Sequence, residues 1–370
     1  MRLVLDVLGA PRDSGGMRLF AEEIVRSWLE EFEDDELVVI GGSWIRRVLG
    51  DLPRLRTWVV PGEGIVGRAL GQQVAPAVGY WVTRADAVLS VSPIVSSLVP
   101  RAVRYCVVHD WRHLKNPGEF GGAQRAYRRL WRASVRRAAG VGVISPKTLE
   151  ETSAVEPRAR VALTENGHDH PRRWDVDVRR EDPGHRLVTF GHHVNKRPEL
   201  VVRAVAGLGT VEGWSLTVLG ARGTEAERLR ELAVSLGVAE QVRLPGFVST
   251  TEYRALVSTC DVVVMASTDE GFGLPVVEAK YFGIPVVATS DSGLGHVHGA
   301  TVELAPATPE GIREALERVL RDGGASRPGR ADVRSWRQTC ADLRGMIAAR
   351  PPTSGAPDAT GGRSSRPAVS

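Results

Sequence analysis

The sequence predicts an α/β protein built from two parallel sheets covered by helices. Short β-branched runs alternate with stretches of helical periodicity, and this alternation occurs twice along the 370 residues. Such alternation is typical of parallel strands joined by helical crossovers. A polar, turn-rich stretch at 166–184 separates the two sets. The length suits two domains of ordinary size, and a hydrophobic content of 42% is enough to fill two cores.

The first half of the chain carries short strand-like runs and two strongly periodic helical stretches. Strands are predicted at Leu3–Leu8, Leu37–Ile40, Thr57–Val60, Ala87–Val91, Tyr105–Val108 and Gly140–Ile144. Helices are predicted at Met17–Phe32 and Ala123–Ala138. We therefore expect a first domain at 1–167, followed by a hinge at 168–185.

The second half repeats the alternation. Strands are predicted at Leu187–Phe190, Ser215–Leu219, Gln241–Leu244, Asp261–Ala266 and Pro285–Thr289. Helices are predicted at Glu199–Gly207, Thr224–Leu236, Thr251–Ser258, Pro275–Phe282 and Pro309–Arg321. We expect a second domain at 186–330, a closing helix at 331–349 and a tail at 350–370. The tail is rich in Pro, Gly, Ser, Thr and Ala, which predicts disorder.

The most informative segment follows the fourth strand of the second set. Glu270 and Glu278 stand on either side of a glycine-rich turn, and Pro275 suits the first position of a helix. Gly271 and Gly273 allow a tight turn and a close approach of the backbone to a ligand. Free amides at the helix start attract a phosphate, whereas carboxylates accept hydrogen bonds from sugar hydroxyls. The segment therefore predicts a site for a nucleotide sugar.

A longer stretch around these residues carries a family resemblance. Its residues are Glu270, Gly271, Phe272, Gly273, Leu274, Pro275, Glu278 and Ala279, followed by Phe282, Gly283, Ile284, Pro285, Val286, Val287 and Ala288. It closely resembles the donor-site signature of family 4 of the retaining glycosyltransferases, which have the GT-B architecture. The resemblance implies two Rossmann-like domains facing a cleft, with a C-terminal helix that crosses back to the first domain. It is diffuse between Ser43 and Val99, where acceptor recognition is expected.

Two further segments of the first half match the family pattern. Gly15 and Gly16 follow the first strand and open a helix, where the resemblance implies contact with the donor diphosphate. A plain turn is the alternative interpretation. His109 ends a strand, where ligands collect in open α/β sheets. The resemblance implies that it lies beside the donor sugar, where it could bind a hydroxyl or transfer a proton; a histidine with a purely structural hydrogen bond is the alternative.

Two segments of the second half match as well. Gly191 is followed by Lys196 and Arg197, whose charges can neutralise a diphosphate. The loop between Gly191 and the basic pair is one residue shorter than is usual in the family, which leaves open which cation meets the phosphate. Gly246 and Phe247 correspond to the family loop that contacts the base.

The function implied by the resemblance is the retaining transfer of a hexose to a hydroxyl of a glycan, lipid-linked or small-molecule acceptor. The donor would be of the GDP-mannose or UDP-glucose type. Glu278 would hold the ribose and Glu270 the hexose, while Lys196, Arg197 and the amides of 271–274 stabilise the departing diphosphate. A nucleotide-sugar epimerase of the same fold and a non-catalytic nucleotide-sugar-binding or scaffold protein are the alternatives.

Composition gives no sign of other partners. The net charge of +4 is mild, and no nucleic-acid-binding motif is present. The three cysteines are too few and too widely spaced to predict a disulfide framework or a metal site, and no metal or cofactor is expected. The sequence shows neither a signal peptide nor an apolar run of about 18 residues, so a cytoplasmic location is expected. No pattern indicates an oligomeric state.

The helix predicted at Ala123–Ala138 is basic and amphipathic. Arg125, Arg128, Arg129, Arg132 and Arg136 share one face, and Tyr127, Leu130, Trp131 and Ala138 lie opposite. The arginines are either simply solvated or make a peripheral contact with the inner membrane surface.

Overall fold

The computed structural model describes residues 1–11, 14–61, 64–177, 184–209, 213–321 and 333–349. The predicted tail at 350–370 and part of the predicted hinge lie outside the described residues. Within them the chain forms two parallel sheets with helices packed on both faces. This architecture confirms the predicted α/β class with two Rossmann-like domains.

The first sheet lies near the start of the chain. Its strands are β1 (Arg2–Asp6), β2 (Glu36–Gly41), β3 (Leu55–Val59), β4 (Ala87–Ser90), β5 (Arg104–Val108), β6 (Gly140–Val143) and β7 (Val161–Leu163). The helices between them are α1 (Gly15–Glu31), α2 (Trp44–Leu49), α3 (Ile65–Thr83), α4 (Arg112–Lys115), α5 (Gly122–Arg137) and α6 (Pro146–Val155). The strand order is β3-β2-β1-β4-β5-β6-β7, and neighbouring strands are parallel.

The second sheet has the same kind of order. Its strands are β8 (His185–Phe190), β9 (Trp214–Leu219), β10 (Val242–Gly246), β11 (Val262–Met265), β12 (Val286–Thr289) and β13 (Glu303–Ala305). Its helices are α7 (Pro198–Ala206), α8 (Thr224–Ser235), α9 (Thr250–Thr259), α10 (Leu274–Tyr281), α11 (Leu294–His298) and α12 (Pro309–Arg321). The order is β10-β9-β8-β11-β12-β13, again with parallel neighbours.

The strand order places a switch point in each sheet. In the first sheet it lies between β1 and β4, and in the second between β8 and β11, because the chain leaves these neighbouring strands in opposite directions. Loops diverge there, so a crevice opens at the carboxyl ends of the strands, where ligands bind in open α/β sheets.

Each predicted strand and helix is found at nearly its predicted position, whereas a few elements were not predicted. Strands β7 and β13 span only three residues each, too few for a pattern to show. Helix α3 lies in the stretch where the resemblance was diffuse. It carries apolar residues on its exposed side as well, so helical periodicity could not reveal it.

A last helix, α13 (Trp336–Ala348), crosses back to the first domain, as predicted. A capping box between Ser335 and Gln338 fixes its start. It packs along α1, where Trp336, Cys340 and Leu343 are buried in the core of the first domain. The closing helix is therefore part of the first domain's core.

Asp35 fastens α13 to the start of the chain. Its buried carboxylate accepts hydrogen bonds from the Met1 ammonium at 2.6 Å, from Trp28 Nε1 at 3.1 Å and from Arg344 Nε at 2.9 Å. Burial alone would raise the pKa of Asp35. The hydrogen bonds and charges of Arg344 and the amino terminus outweigh burial and hold the pKa below its ordinary value.

We predict that Asp35→Asn lowers the free energy of unfolding by ~1.5–3 kcal/mol at pH 7, since charge-assisted hydrogen bonds are lost. Because the folded-state pKa is depressed, this contribution is complete above the unfolded-state pKa and is lost as the pH falls through the folded-state value. The difference from the wild type should therefore narrow below about pH 4 in urea titrations. The exposed neighbour provides the control, Asp34→Asn. Equal stability of Asp35→Asn and Asp34→Asn would contradict the assignment.

Candidate functional site

The site lies where the loop after β11 meets the carboxyl end of β5. Gly271 touches the backbone of His109 so closely that a Cβ there would lie 2.0 Å from the His109 carbonyl oxygen. The Ser145 hydroxyl also donates a hydrogen bond to the Gly271 carbonyl at 2.7 Å. The two domains therefore meet backbone to backbone, and glycine is required at 271 because no side chain fits.

The start of α10 is formed as the motif predicts, one residue earlier than expected. Gly273 adopts the left-handed conformation, with φ of 80°, and Pro275 lies in the first turn of the helix. Phe272 is buried in the core of the first domain. Its carbonyl accepts a hydrogen bond from His298 Nε2 at 2.7 Å. Packing of Phe272 thus anchors the loop that begins α10.

The starts of two helices face each other across the cleft. Gly15 and Gly16 open α1, and a Cβ at Gly16 would lie 3.4 Å from the Leu274 side chain at the start of α10. Both helix starts present free backbone amides and the positive ends of their dipoles. An anion between them would be stabilised from both sides.

Lys196 and Glu270 form an ion pair at the switch point of the second sheet. Both side chains are largely buried, and their loops follow β8 and β11. Burial would raise the pKa of Glu270, but the charge and hydrogen bond of Lys196 outweigh it, and the pKa is lowered. The carboxylate is therefore ionised at neutral pH.

Arg197 points away from Lys196. Its backbone is left-handed, with φ of 44°, and this turn separates the two side chains. The guanidinium donates to the Ala266 carbonyl at 2.7 Å and forms an ion pair with Asp291 at 2.7 Å. Its contacts lie at the ends of β11 and β12, so Arg197 braces these strand ends while Lys196 pairs with the loop carboxylate.

Glu278 is almost fully enclosed one turn into α10. One carboxylate oxygen lies 2.9 Å from His170 Nε2, and the other accepts a hydrogen bond from the Tyr253 hydroxyl. The second ring nitrogen of His170 accepts from Trp336 Nε1 at 3.3 Å. A chain of contacts therefore links the closing helix to the donor-motif carboxylate. Sequence reasoning missed His170 and Tyr253, which lie far along the chain from Glu278.

His109 lies half-buried at the end of β5. Its Nε2 is 2.8 Å from the Val91 carbonyl oxygen, which can only accept, so Nε2 carries the proton in this bond. Burial lowers the pKa of His109, although the bond to Val91 and the charge of Asp110 favour the protonated form. The ring is thus neutral at neutral pH, and Nδ1 remains as an acceptor.

The remaining predicted residues lie at the ends of β8 and β10. Gly191 follows β8, and a Cβ there would lie 3.0 Å from Ala221 Cβ. Gly246 ends β10 with a left-handed φ of 76°. Phe247 is exposed, and the Arg222 guanidinium lies over its ring at 5.0 Å. An exposed ring in this loop can stack on a planar ligand.

A buried ionic cluster that the sequence did not predict joins the two domains beside the loop. Lys147 Nζ of the first domain lies 2.9 Å from Asp269 and 2.8 Å from Glu151. Lys115 also approaches Asp269, at 3.2 Å. Removing one partner would leave a buried charge unpaired, so the cluster specifies how the domains meet. Among the residues that the structure describes, no group of His, Cys, Asp or Glu side chains is arranged to hold a metal ion.

Sequence comparison identifies a family model that matches the second domain, and relatives that match part of the chain. Residues 182–333 match the family model of glycosyl transferases group 1. The chain is 33% identical over 129 residues to an uncharacterized glycosyltransferase of Methanocaldococcus jannaschii, covering 34% of this chain and 33% of that protein. It is 32% identical over 174 residues to glycogen synthase of Mycobacterium tuberculosis, covering 45% and 42%. The matches thus span less than half the length of these relatives.

Solved structures resemble the chain over nearly its whole length. Sucrose-phosphate synthase from Thermosynechococcus elongatus has a TM-score of 0.67 at 19% identity, covering 95% of this chain and 94% of that one. Anabaena HepE in complex with UDP-glucose has a TM-score of 0.65 at 16% identity, covering 95% of each. The fold is GT-B. The family match is confined to residues 182–333, and the likeness to solved structures over the whole chain shows the fold.

We predict that Gly271→Ala separates the domains, because its methyl group cannot occupy space 2.0 Å from the His109 carbonyl oxygen. Small-angle X-ray scattering should show a larger radius of gyration than for the wild type. Gly118→Ala is a matched control, since a Cβ at Gly118 meets no atom within 4 Å. Superimposable scattering curves for Gly271→Ala and the wild type would refute the close contact.

Proposed function

We propose that the protein is a retaining glycosyltransferase that transfers a hexose from a nucleoside-diphosphate sugar to a hydroxyl acceptor. The observation that carries the proposal is the Lys196–Glu270 pair, which lies at the switch point close to the facing starts of α1 and α10. A cation and free amides suit a diphosphate, and a neighbouring carboxylate suits sugar hydroxyls. The group 1 family match over 182–333 supports the same activity.

The diphosphate would lie between the two helix starts. Lys196 exchanges Glu270 for a phosphate oxygen when the donor binds, which leaves the Glu270 carboxylate for hexose hydroxyls. Arg197 supports the site without contacting the diphosphate, since its guanidinium already binds the Ala266 carbonyl and Asp291. As the bond to the sugar breaks, negative charge grows on the diphosphate, and Lys196 with the amides of 271–274 stabilises it.

The nucleoside would extend toward Glu278 and Phe247. Each oxygen of Glu278 accepts one hydrogen bond from His170 or Tyr253, and its remaining lone pairs face the ribose hydroxyls in our proposal. Phe247 and the backbone of Gly246 receive the base. Of the solved structures compared above, Anabaena HepE binds UDP-glucose, which favours a donor of the UDP-glucose type over GDP-mannose.

Transfer with retention requires the acceptor oxygen to bond to the anomeric carbon on the face that the diphosphate leaves. The acceptor proton passes to a diphosphate oxygen as the sugar–oxygen bond breaks. His109 Nδ1, an acceptor in the neutral ring, orients a hydroxyl beside the sugar. No metal or cofactor takes part in these steps as we propose them.

Nucleotide binding provides the first test. We predict that UDP, GDP, ADP and dTDP at equal concentration stabilise the protein unequally, because the base loop discriminates among them. The preferred nucleotide at a hundred times its dissociation constant should add ~2.7 kcal/mol of stability. Glu278→Ala should abolish most of this gain, and Tyr253→Phe should reduce it. The exposed helical control Glu231→Ala should keep it. No stabilisation by any nucleotide would remove the basis for a donor site.

The second test separates catalysis from binding. We predict that Glu270→Gln lowers the rate of nucleoside-diphosphate release from the matching donor by at least about tenfold, while the dissociation constant of the free nucleotide changes little. The amide cannot accept from sugar hydroxyls as strongly as a carboxylate does. The exposed control Glu231→Gln, on α8, should retain the rate.

A wild-type rate in Glu270→Gln would overturn the role of Glu270. The same assay separates the alternatives. Nucleotide binding without release would favour a binding or scaffold protein, and a changed donor sugar without an acceptor would favour an epimerase.

A further inference from the structure

Helix α3 exposes a continuous apolar face. Its large apolar side chains point outward with exposed fractions between 46% and 73%. They are Val66, Leu70, Val74, Val78, Trp81 and Val82. Their spacing of three and four residues places them on one side of the helix. A contiguous apolar surface of this kind marks an interaction site.

The fold does not need these residues on the outside. The face of α3 that packs on the first sheet carries small residues, and a Cβ at Gly79 would lie 2.8 Å from the Ile40 side chain. Gln72 is buried on the inner side and donates to the Ser92 hydroxyl at 2.9 Å. The helix therefore buries small and polar residues and exposes large apolar ones, the reverse of an ordinary surface helix.

Helix α5 lies beside α3 on the same face of the first sheet. Alternate strand residues face α3 and α5, among them Val4, Val38, Ile40, Val88, Cys106, Val108, Val141 and Val143. The residues between them face α1 and α13. The Tyr127 hydroxyl of α5 donates to Gln72 of α3 at 2.7 Å. The outer sides of both helices therefore form one surface.

The arginines of α5 do not share one environment, although the sequence predicts them on one face of the helix. Arg128 packs over Trp131 at 4.5 Å and is not simply solvated. Leu130, which was predicted to lie opposite the arginines, is 54% exposed. Arg132 and Arg136 pair with Glu156. Arg125 and Arg129 are exposed and have no ion-pair partner among the described residues. Neither α3 nor α5 contains an acidic residue.

We propose that the outer surface of α3 and α5 docks on an anionic lipid bilayer. The apolar face of α3 would lie among the headgroups and upper acyl chains, while Arg125 and Arg129 contact lipid phosphates. Trp81, which is 62% exposed, suits the boundary between headgroups and hydrocarbon. In the described residues no helix has the length and apolarity needed to cross a bilayer.

Charge favours a bilayer over a second copy of this chain. Two copies that met through this surface would bring arginines toward arginines, with no carboxylate on either helix to pair with them. An anionic bilayer supplies the missing negative charge together with an apolar phase. The inference rests on the surface alone and holds whether or not the protein transfers a sugar.

Vesicle co-sedimentation of the full chain tests the proposal. The wild type should bind vesicles of phosphatidylcholine with 30 mol% phosphatidylglycerol at least about tenfold more tightly than pure phosphatidylcholine vesicles. Val74→Glu should lose at least about tenfold of that affinity. Val234→Glu carries the same change at an exposed valine of α8 in the second domain and should bind like the wild type. The double variant Arg125→Gln/Arg129→Gln should show a smaller difference in affinity between the anionic and the pure phosphatidylcholine vesicles.

Melting curves measured by circular dichroism check that each variant is folded before its vesicle binding is compared. Vesicle binding by Val74→Glu equal to that of the wild type would overturn the proposal, as would no vesicle binding by the wild type. Sedimentation velocity tests the alternative occupant of this surface, a second copy of the chain. A dimer in the wild type that becomes a monomer in Val74→Glu, without vesicle binding, would instead identify an interface between copies of this chain.

Discussion

The contact between Gly271 and the His109 carbonyl determines how the rest of the site is arranged. Because two backbones touch there, the position of the loop relative to the first domain is fixed by atoms that no rotamer can move. Phe272 continues the contact by entering the core of the first domain, and Gly273 then turns the chain into α10. The helix start that is suited to an anion is therefore positioned by the other domain.

Buried charge makes this contact specific. Asp269 lies next to Glu270 in the same loop, yet it pairs with Lys147 of the first domain, whereas Glu270 pairs with Lys196 of the second. Each carboxylate would be costly to bury without its cation. Moving the domains apart would expose Asp269 to water but leave the Lys196–Glu270 pair intact. The loop thus separates a charge that pairs across the domains, Asp269, from a charge that pairs within the second domain, Glu270.

The sequence predicted the fold well because the fold depends on local patterns. β-Branched runs and helical periodicity identify most strands and helices, and glycines with a proline locate the start of α10. The environment of Glu278 could not be predicted, since its partners His170 and Tyr253 lie 108 and 25 residues away along the chain. The different contacts of Lys196 and Arg197 could not be predicted either. A left-handed backbone at Arg197 separates the two side chains, whereas a sequence pattern treats the adjacent cations alike.

Helix α3 shows why the stretch between Ser43 and Val99 was the hardest part to interpret. Its inner face is small because the helix lies close to β1 and β2, and its outer face is large and apolar for a reason outside the fold. Both α3 and α5 begin near the carboxyl edge of the first sheet, the edge that borders the cleft. A bilayer bound along these helices would hold the first domain at the lipid surface and bring the cleft close to it. The second domain, which carries the carboxylates and Lys196, would then remain on the solvent side, where the nucleotide sugar of our proposal can reach it. Such an arrangement suits an acceptor whose hydroxyl is presented from the membrane.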